Sequence, residues 1–161
     1  MIHVFFVCLG NICRSPLAEG IFRDLVAEKK LYDKISCDSA GTSNYHIGHS
    51  PDPRTVRNAL QNMIKLNHKA QQFAYKHFHS SDYIIVMDKS NLDNIEILRD
   101  QQGLENVKIM LMRAFDREGE NQDVPDPYFG GEDGFQEVFE ILNRSCRNLL
   151  HYLIKEHQLE T

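Results

Sequence analysis

Tryptophan is missing from this chain of 161 residues, and no apolar run in it is long enough to cross a membrane. The opening stretch Ile2–Val7 has no basic segment before it and is broken at Gly10 and Asn11, so neither a signal peptide nor a membrane span is expected. A basic excess is lacking as well. Lys and Arg total 18 against 23 Asp and Glu, a net charge of −5, which excludes a protein held to nucleic acid by its charge. Cysteine is scarce: the four at positions 8, 13, 37 and 146 form neither a zinc-like spacing nor a secreted disulfide framework. They suit a reducing compartment, and a cytoplasmic location is expected. Dinucleotide and nucleoside-triphosphate fingerprints are absent, as are repeats, linkers and low-complexity segments. What remains is an ordinary globular balance, 25% charged and 42% hydrophobic, predicting one domain over residues 1–161.

The hydrophobic pattern alternates between two periods. Ile2–Val7 reads as a strand buried on both faces, and Leu17, Ile21, Phe22, Leu25 and Val26 recur at helical spacing as far as Lys29. A second strand is expected at Ile35–Ala40 and a second helix over Pro53–Met63. Tyr83–Met87 is a third strand, followed by a polar helix around Leu92–Arg99, and Val107–Leu111 is a fourth strand. Phe135, Val138, Phe139, Leu142, Cys146, Leu149, Leu150 and Leu153 mark a long amphipathic last helix, with Asp133 as its expected cap. Strands alternating with helices predict an α/β fold, a parallel sheet covered on both faces. Ligands of such sheets sit outside the carboxyl ends of the strands.

At the first of those ends stands Cys8-Leu9-Gly10-Asn11-Ile12-Cys13-Arg14-Ser15-Pro16. A thiol and a guanidinium close a loop of five residues between strand and helix. The loop can turn its N–H groups inward, where the helix adds the positive end of its dipole. Helix N-termini and neighbouring cations favour the thiolate, the reactive form of cysteine, and Cys8 has both beside it. Arg14 offers a planar fork that matches two phosphoryl oxygens. Gly10 and Asn11 tolerate the unusual backbone such a loop requires. Ser15 before Pro16 reads as a helix cap. A dianion held by Leu9 to Arg14 would face Cys8 from above, the arrangement of a cysteine-dependent phosphatase.

Val7–Pro16 matches throughout the signature V-C-x-G-N-x-C-R-S-P, and the chain resembles the low-molecular-weight protein tyrosine phosphatases. Ser39-Ala40-Gly41-Thr42, Ser50-Pro51-Asp52-Pro53-Arg54, His68-Lys69-Ala70, Met87-Asp88-Lys89-Ser90-Asn91 and Asp126-Pro127-Tyr128 follow in the family's order. The resemblance implies a doubly wound four-stranded parallel sheet with helices on both faces and a phosphate-binding loop after the first strand. It implies hydrolysis of phosphotyrosine in proteins, and of small aryl phosphates, through a phosphocysteine, without cofactor or metal.

Expelling the leaving oxyanion needs an acid, and water attack on the phosphocysteine then needs a base. Gly119–Gly134 reads as a loop that holds Asp126, and on residues alone Asp116, Asp123 and Asp133 compete with it. The resemblance selects Asp126, because the family's acid precedes Pro-Tyr. It also implies pocket walls at Tyr128 and Tyr45, and supporting roles for Ser15 and for His68, which joins Asn11 in a network beneath the loop. Cys13 is implied to form a protective disulfide with Cys8. The family's second loop tyrosine is Phe129 here, which removes one hydroxyl. Cys37 and Cys146 read as core, and His46 and His49 as loop surface.

Two rivals share parts of this pattern. Arsenate reductase chemistry needs two further cysteines near Tyr83–Arg99, and none is there. A non-catalytic phosphopeptide-binding module would lack the nucleophile or the acid, and both candidates are present. The expected partners are tyrosine-phosphorylated proteins or peptides, with inorganic phosphate as product, no nucleic acid, no membrane, and a monomeric enzyme.

Overall fold

The computed structural model describes residues 1–104 and 106–161. Four strands, β1 (Ile2–Cys8), β2 (Ile35–Gly41), β3 (Tyr83–Val86) and β4 (Lys108–Leu111), form one parallel sheet in the order β2-β1-β3-β4. The helices between them are α1 (Arg14–Glu28), α2 (Pro53–Gln61), α3 (Tyr75–His79) and α4 (Lys89–Gln101). A 3-10 turn (Met112–Phe115) and the long α5 (Glu132–Glu156) complete the chain. The expected doubly wound α/β architecture is the one observed. Among the described residues, no helix is long and apolar enough to cross a membrane.

Successive side chains of β1 point to opposite faces, so its continuous apolar run feeds two cores. Val4, Phe6 and Cys8 join Leu17, Phe22, Leu142 and Leu149 in the layer formed with α1 and α5. Phe5 and Val7 join Phe73, Phe78, Ile84 and Ile95 on the face covered by α3 and α4. Phe6 meets Phe22 edge-on, with centroids 5.5 Å apart. Truncating such a buried ring costs about 3–5 kcal/mol. The chain leaves β1 toward β2 on one side and returns to β3 on the other. The loop after Cys8 therefore sits where the strand order reverses, the place open α/β sheets use for ligands.

Three local readings are corrected. The second helix stops at Gln61, because Met63 takes a left-handed φ of 65° and Ile64 N–H returns to Ala59 O at 2.8 Å. The last helix starts at Glu132 after Gly131, leaving Asp133 inside its first turn and not at the cap. Ser15 does not cap α1 either: the helix begins at Arg14 after Cys13, without a side-chain cap, and the Ser15 hydroxyl is engaged elsewhere. The five-residue α3, unforeseen in the hydrophobic pattern, is closed by His77 Nδ1 accepting from Ala74 N–H at 2.9 Å.

Candidate active site

Cys8 ends β1, almost fully buried, and the chain then turns through Leu9–Cys13 into α1. Asn11 adopts φ 57°, which costs a non-glycine residue unless something holds it. Its side chain supplies the hold. Asn11 Oδ1 accepts from Gln71 N–H at 3.0 Å and lies 2.7 Å from His68 Nε2. Asn11 Nδ2 donates to Ser15 Oγ at 2.8 Å and to Ser39 Oγ at 3.0 Å. The Gln71 donor fixes the amide's orientation, so His68 Nε2 must carry the proton of its bond. All four hydrogen-bonding positions of a buried amide are thereby used, and the loop is fixed from below.

The Cys8 sulfur receives Asn11 N–H at 3.3 Å and lies 2.9 Å from Ser15 Oγ. Among the described residues, the N–H groups of Leu9, Gly10, Ile12 and Cys13 donate to no protein group, so they are the loop's unspent donors. They adjoin the first turn of α1, whose own N–H groups lack intrahelical partners.

Arg14 is buried, and its Nη1 donates to Asp88 Oδ2 at 2.7 Å and to Val124 O at 3.0 Å. Burial works against its charge, but Cys8, Asp88 and Asp126 outweigh that and hold its pKa above the ordinary value. Arg14 Nη2 lies 3.6 Å from Asp126 Oδ2. Asp126 Oδ1 accepts from Tyr128 N–H at 3.0 Å, a turn that aims the other oxygen toward Arg14. The Asp126 side chain is 40% exposed, so it can exchange protons with water.

Cys8, Arg14 and Asp126 line one cavity of about 170 Å³ with Leu9, Gly10, Ile12, Cys13, Tyr45, Tyr128 and Phe129. His46 lines it too, which corrects the reading of that residue as loop surface. Its ring packs over Gly10 and lies 6.2 Å from the Tyr128 ring. Arg54 was also missed as a site residue. It is paired with Asp52, donates to Tyr128 O at 2.9 Å and sits 5.5 Å above the Tyr128 ring, so it anchors that wall. The Arg54 hydrogen bonds hold the Asp52 carboxyl below the usual range. Asp52 N–H in turn donates to Ile12 O at 2.8 Å, joining this wall to the loop. The motif Ser50–Arg54 contained both residues, but nothing in its spacing reported their contact with Tyr128.

His68 does not reach the cavity. Its Nδ1 lies 3.2 Å from Glu19 Oε2, which also accepts from Ser39 Oγ at 2.6 Å. Burial pushes the Glu19 carboxyl up to about 7 and the His68 imidazole down. Polar atoms of Glu19, Asp38 and His68 converge within 4.8 Å of one another, but hydrogen bonds with Ser39, Gln71 and Asn11 already engage these residues. Cys13 packs with Ile12, Ala70 and Phe135, and burial pushes its thiol up to about 12. Cys146 is fully buried, while Cys37 is only half-buried, at the margin of the core it was expected to enter. Neither lines the cavity.

The family model described as low molecular weight phosphotyrosine protein phosphatase matches residues 3–159. A putative low molecular weight protein-tyrosine-phosphatase of Synechocystis is 41% identical over 95% of this chain and 97% of its own. Among solved structures, a protein tyrosine phosphatase of Entamoeba histolytica superposes with a TM-score of 0.90 at 34% identity, covering 99% of this chain and 100% of that one. A Drosophila arginine phosphatase superposes with a TM-score of 0.87 at 34% identity, covering 92% and 96%.

Proposed function

The chain belongs to the low-molecular-weight phosphotyrosine protein phosphatases, cysteine-dependent hydrolases acting on phosphoproteins, and from that premise we propose which residues carry the reaction. Cys8 attacks phosphorus in line. The N–H groups of the Leu9–Cys13 loop and the fork of Arg14 hold the equatorial oxygens, while Asp126 protonates the departing phenolate. The resulting phosphocysteine is opened by water, with Asp126 now taking the proton and Ser15 stabilising the departing thiolate. Positioning and fixed dipoles supply most of the acceleration. The observation that carries this assignment is the convergence of Cys8, Arg14 and Asp126 on one cavity.

Tyr45 and Tyr128 flank the aryl ring of the substrate, and His68 acts through Asn11 as a positioning residue. Cys13 protects the nucleophile: when a peroxide oxidises Cys8 to its sulfenic acid, the Cys13 thiol forms a disulfide with it and expels water, stopping oxidation at a reversible stage. The whole of residues 1–161 works as one catalytic domain, a cytoplasmic monomer needing neither metal nor cofactor. Phosphotyrosine suits the cavity better than phosphoarginine. Its lining is largely apolar and aromatic, and among the described residues it carries one carboxylate, Asp126, to face a guanidinium.

Hydrolysis of aryl phosphates between pH 4 and 9, with chelator present, tests the reading. Cys8→Ser is expected to abolish turnover and keep phosphate binding. Asp126→Asn is expected to slow esters with poor leaving groups far more than those with good ones. Retained turnover by Cys8→Ser would remove Cys8 from its role, and equal losses on both ester classes would remove Asp126. Phosphoarginine turned over in preference to phosphotyrosine would overturn the substrate assignment.

A further inference from the structure

The rim of the catalytic cavity is not the same all round. On one side Leu9 and Tyr45 belong both to the cavity and to a second, wider groove of about 720 Å³. This groove runs from those two residues past Thr42 and Gln72 to Tyr75 on α3 and Ile97 on α4. Among the described residues, none that lines it is charged, although a quarter of the chain is. The recess between α2 and α5 is the opposite case. Arg54, Arg57, Glu132 and Asp133 line it, and it shares no lining residue with the cavity.

Four large side chains along the groove stand open to solvent: Leu9 at 41%, Tyr45 at 71%, Tyr75 at 43% and Ile97 at 55%. Its floor is fixed. Thr42 N–H donates to Cys8 O at 2.9 Å, Ser43 N–H to Leu9 O at 3.0 Å, and Gln72 Nε2 to Thr42 O at 3.2 Å. A surface already ordered and tied to the phosphate loop loses little freedom when something settles on it.

We propose that this groove receives the polypeptide segment flanking the phosphorylated residue of a protein substrate, and that it selects an uncharged, apolar side chain there. The inference rests on the phosphatase reading above. A polypeptide whose phosphorylated side chain enters the cavity must leave across the rim, and the Leu9–Tyr45 rim opens directly into the groove. A charged residue lying there would lose water and find no opposite charge. An apolar residue would cover Ile97 and Tyr75, and burying one such side chain favours binding by about tenfold or more.

The test uses phosphotyrosine peptides in which Leu, Lys or Asp is walked through each position on either side of phosphotyrosine, with p-nitrophenyl phosphate measured alongside. At one or two positions Leu is expected to exceed Asp by about tenfold in kcat/KM. Ile97→Asp, an exposed change on α4, is expected to erase that preference and favour Lys at the same position. Its turnover of p-nitrophenyl phosphate should match the wild type. Rates indifferent to the walked residue, with the small ester still hydrolysed, would overturn the groove and leave the phosphatase reading standing. Equal losses by Ile97→Asp on ester and peptides would overturn it too. So would a change in sedimentation without a change in peptide ranking, the sign of a second copy in the groove. Failure of the wild type on the small ester itself would instead sink the phosphatase reading.

Discussion

Arg14 Nη1 donates to Asp88 Oδ2 at 2.7 Å, while the other oxygen of Asp88 accepts from Asn91 N–H, also at 2.7 Å. One carboxylate thus caps α4 and holds the guanidinium of the phosphate loop. The two tasks can be separated. In Asp88→Asn the remaining carbonyl oxygen can still cap the helix, since Asn is as good a cap as Asp. The amide nitrogen would then face Arg14 Nη1, donor against donor. The helix cap is expected to change by less than about 1 kcal/mol and the broken pair with buried Arg14 to cost roughly 1–3 kcal/mol, while kcat/KM for an aryl phosphate falls about tenfold. Urea unfolding and steady-state kinetics measured together decide it. A loss of stability with unchanged kinetics would reduce Asp88 to a structural task.

The buried Glu19 carboxyl makes stability depend on pH. Its pKa rises from 4.5 to about 7 in the fold, burial being the main cause. Between those values the folded state binds the proton more tightly than the unfolded chain. Its contribution is therefore complete below about pH 4.5 and is lost as pH rises through 7. That interval corresponds to about 3 kcal/mol. His68, which burial lowers, acts in the opposite sense, its contribution lost as pH falls below 6.5. Both proteins keep His68 in a comparison of wild type with Glu19→Gln. The variant is expected to gain about 3 kcal/mol relative to wild type between pH 4.5 and pH 8, read from urea unfolding. A difference that stays constant across this range would mean that Glu19 titrates as an ordinary carboxyl.

The phosphate loop was legible because its chemistry is compressed into nine consecutive residues, and strand, glycine, arginine and helix start all agree there. The sheet was legible for a similar reason: β1 is apolar on both faces, and only a central parallel strand asks for that. Ser15 shows where local reasoning stops. A serine before proline at a helix start satisfies the capping rule, yet Cys8 and Asn11, both brought to it by the loop's fold, take its hydroxyl. His46 and Arg54 fail for another reason. Their partners Gly10 and Tyr128 come from separate loops, and no periodicity records such a meeting. Asp126 lies between: composition marked its loop as acidic, but only the Pro-Tyr that follows distinguished it from Asp116, Asp123 and Asp133. Asp116 proves to be buried between Arg113 and Arg144 as part of the scaffold.

Gly41 is where the scaffold and the phosphate loop come closest. A Cβ there would stand 2.6 Å from Leu9 O, 3.1 Å from Gly10 C and 3.2 Å from Asn11 N. All three are backbone atoms, so no rotamer change can make room. Gly41 itself is held on both sides, paired with Cys8 in the sheet, donating to Gln71 O at 2.8 Å and accepting from Phe73 N–H at 2.7 Å. In Gly41→Ala the displacement must therefore pass largely to the loop, whose free N–H groups would no longer converge on one anion. We expect kcat/KM to fall about 100-fold, as misplacement by an ångström can produce. Inhibition by inorganic phosphate should weaken in parallel, because the same donors hold both ligands. Thermal unfolding should shift far less, since neither core layer is touched. Wild-type kinetics in this variant would show that the loop yields freely at Leu9 to Asn11, and the rigid cradle on which the catalytic reading depends would have to be given up.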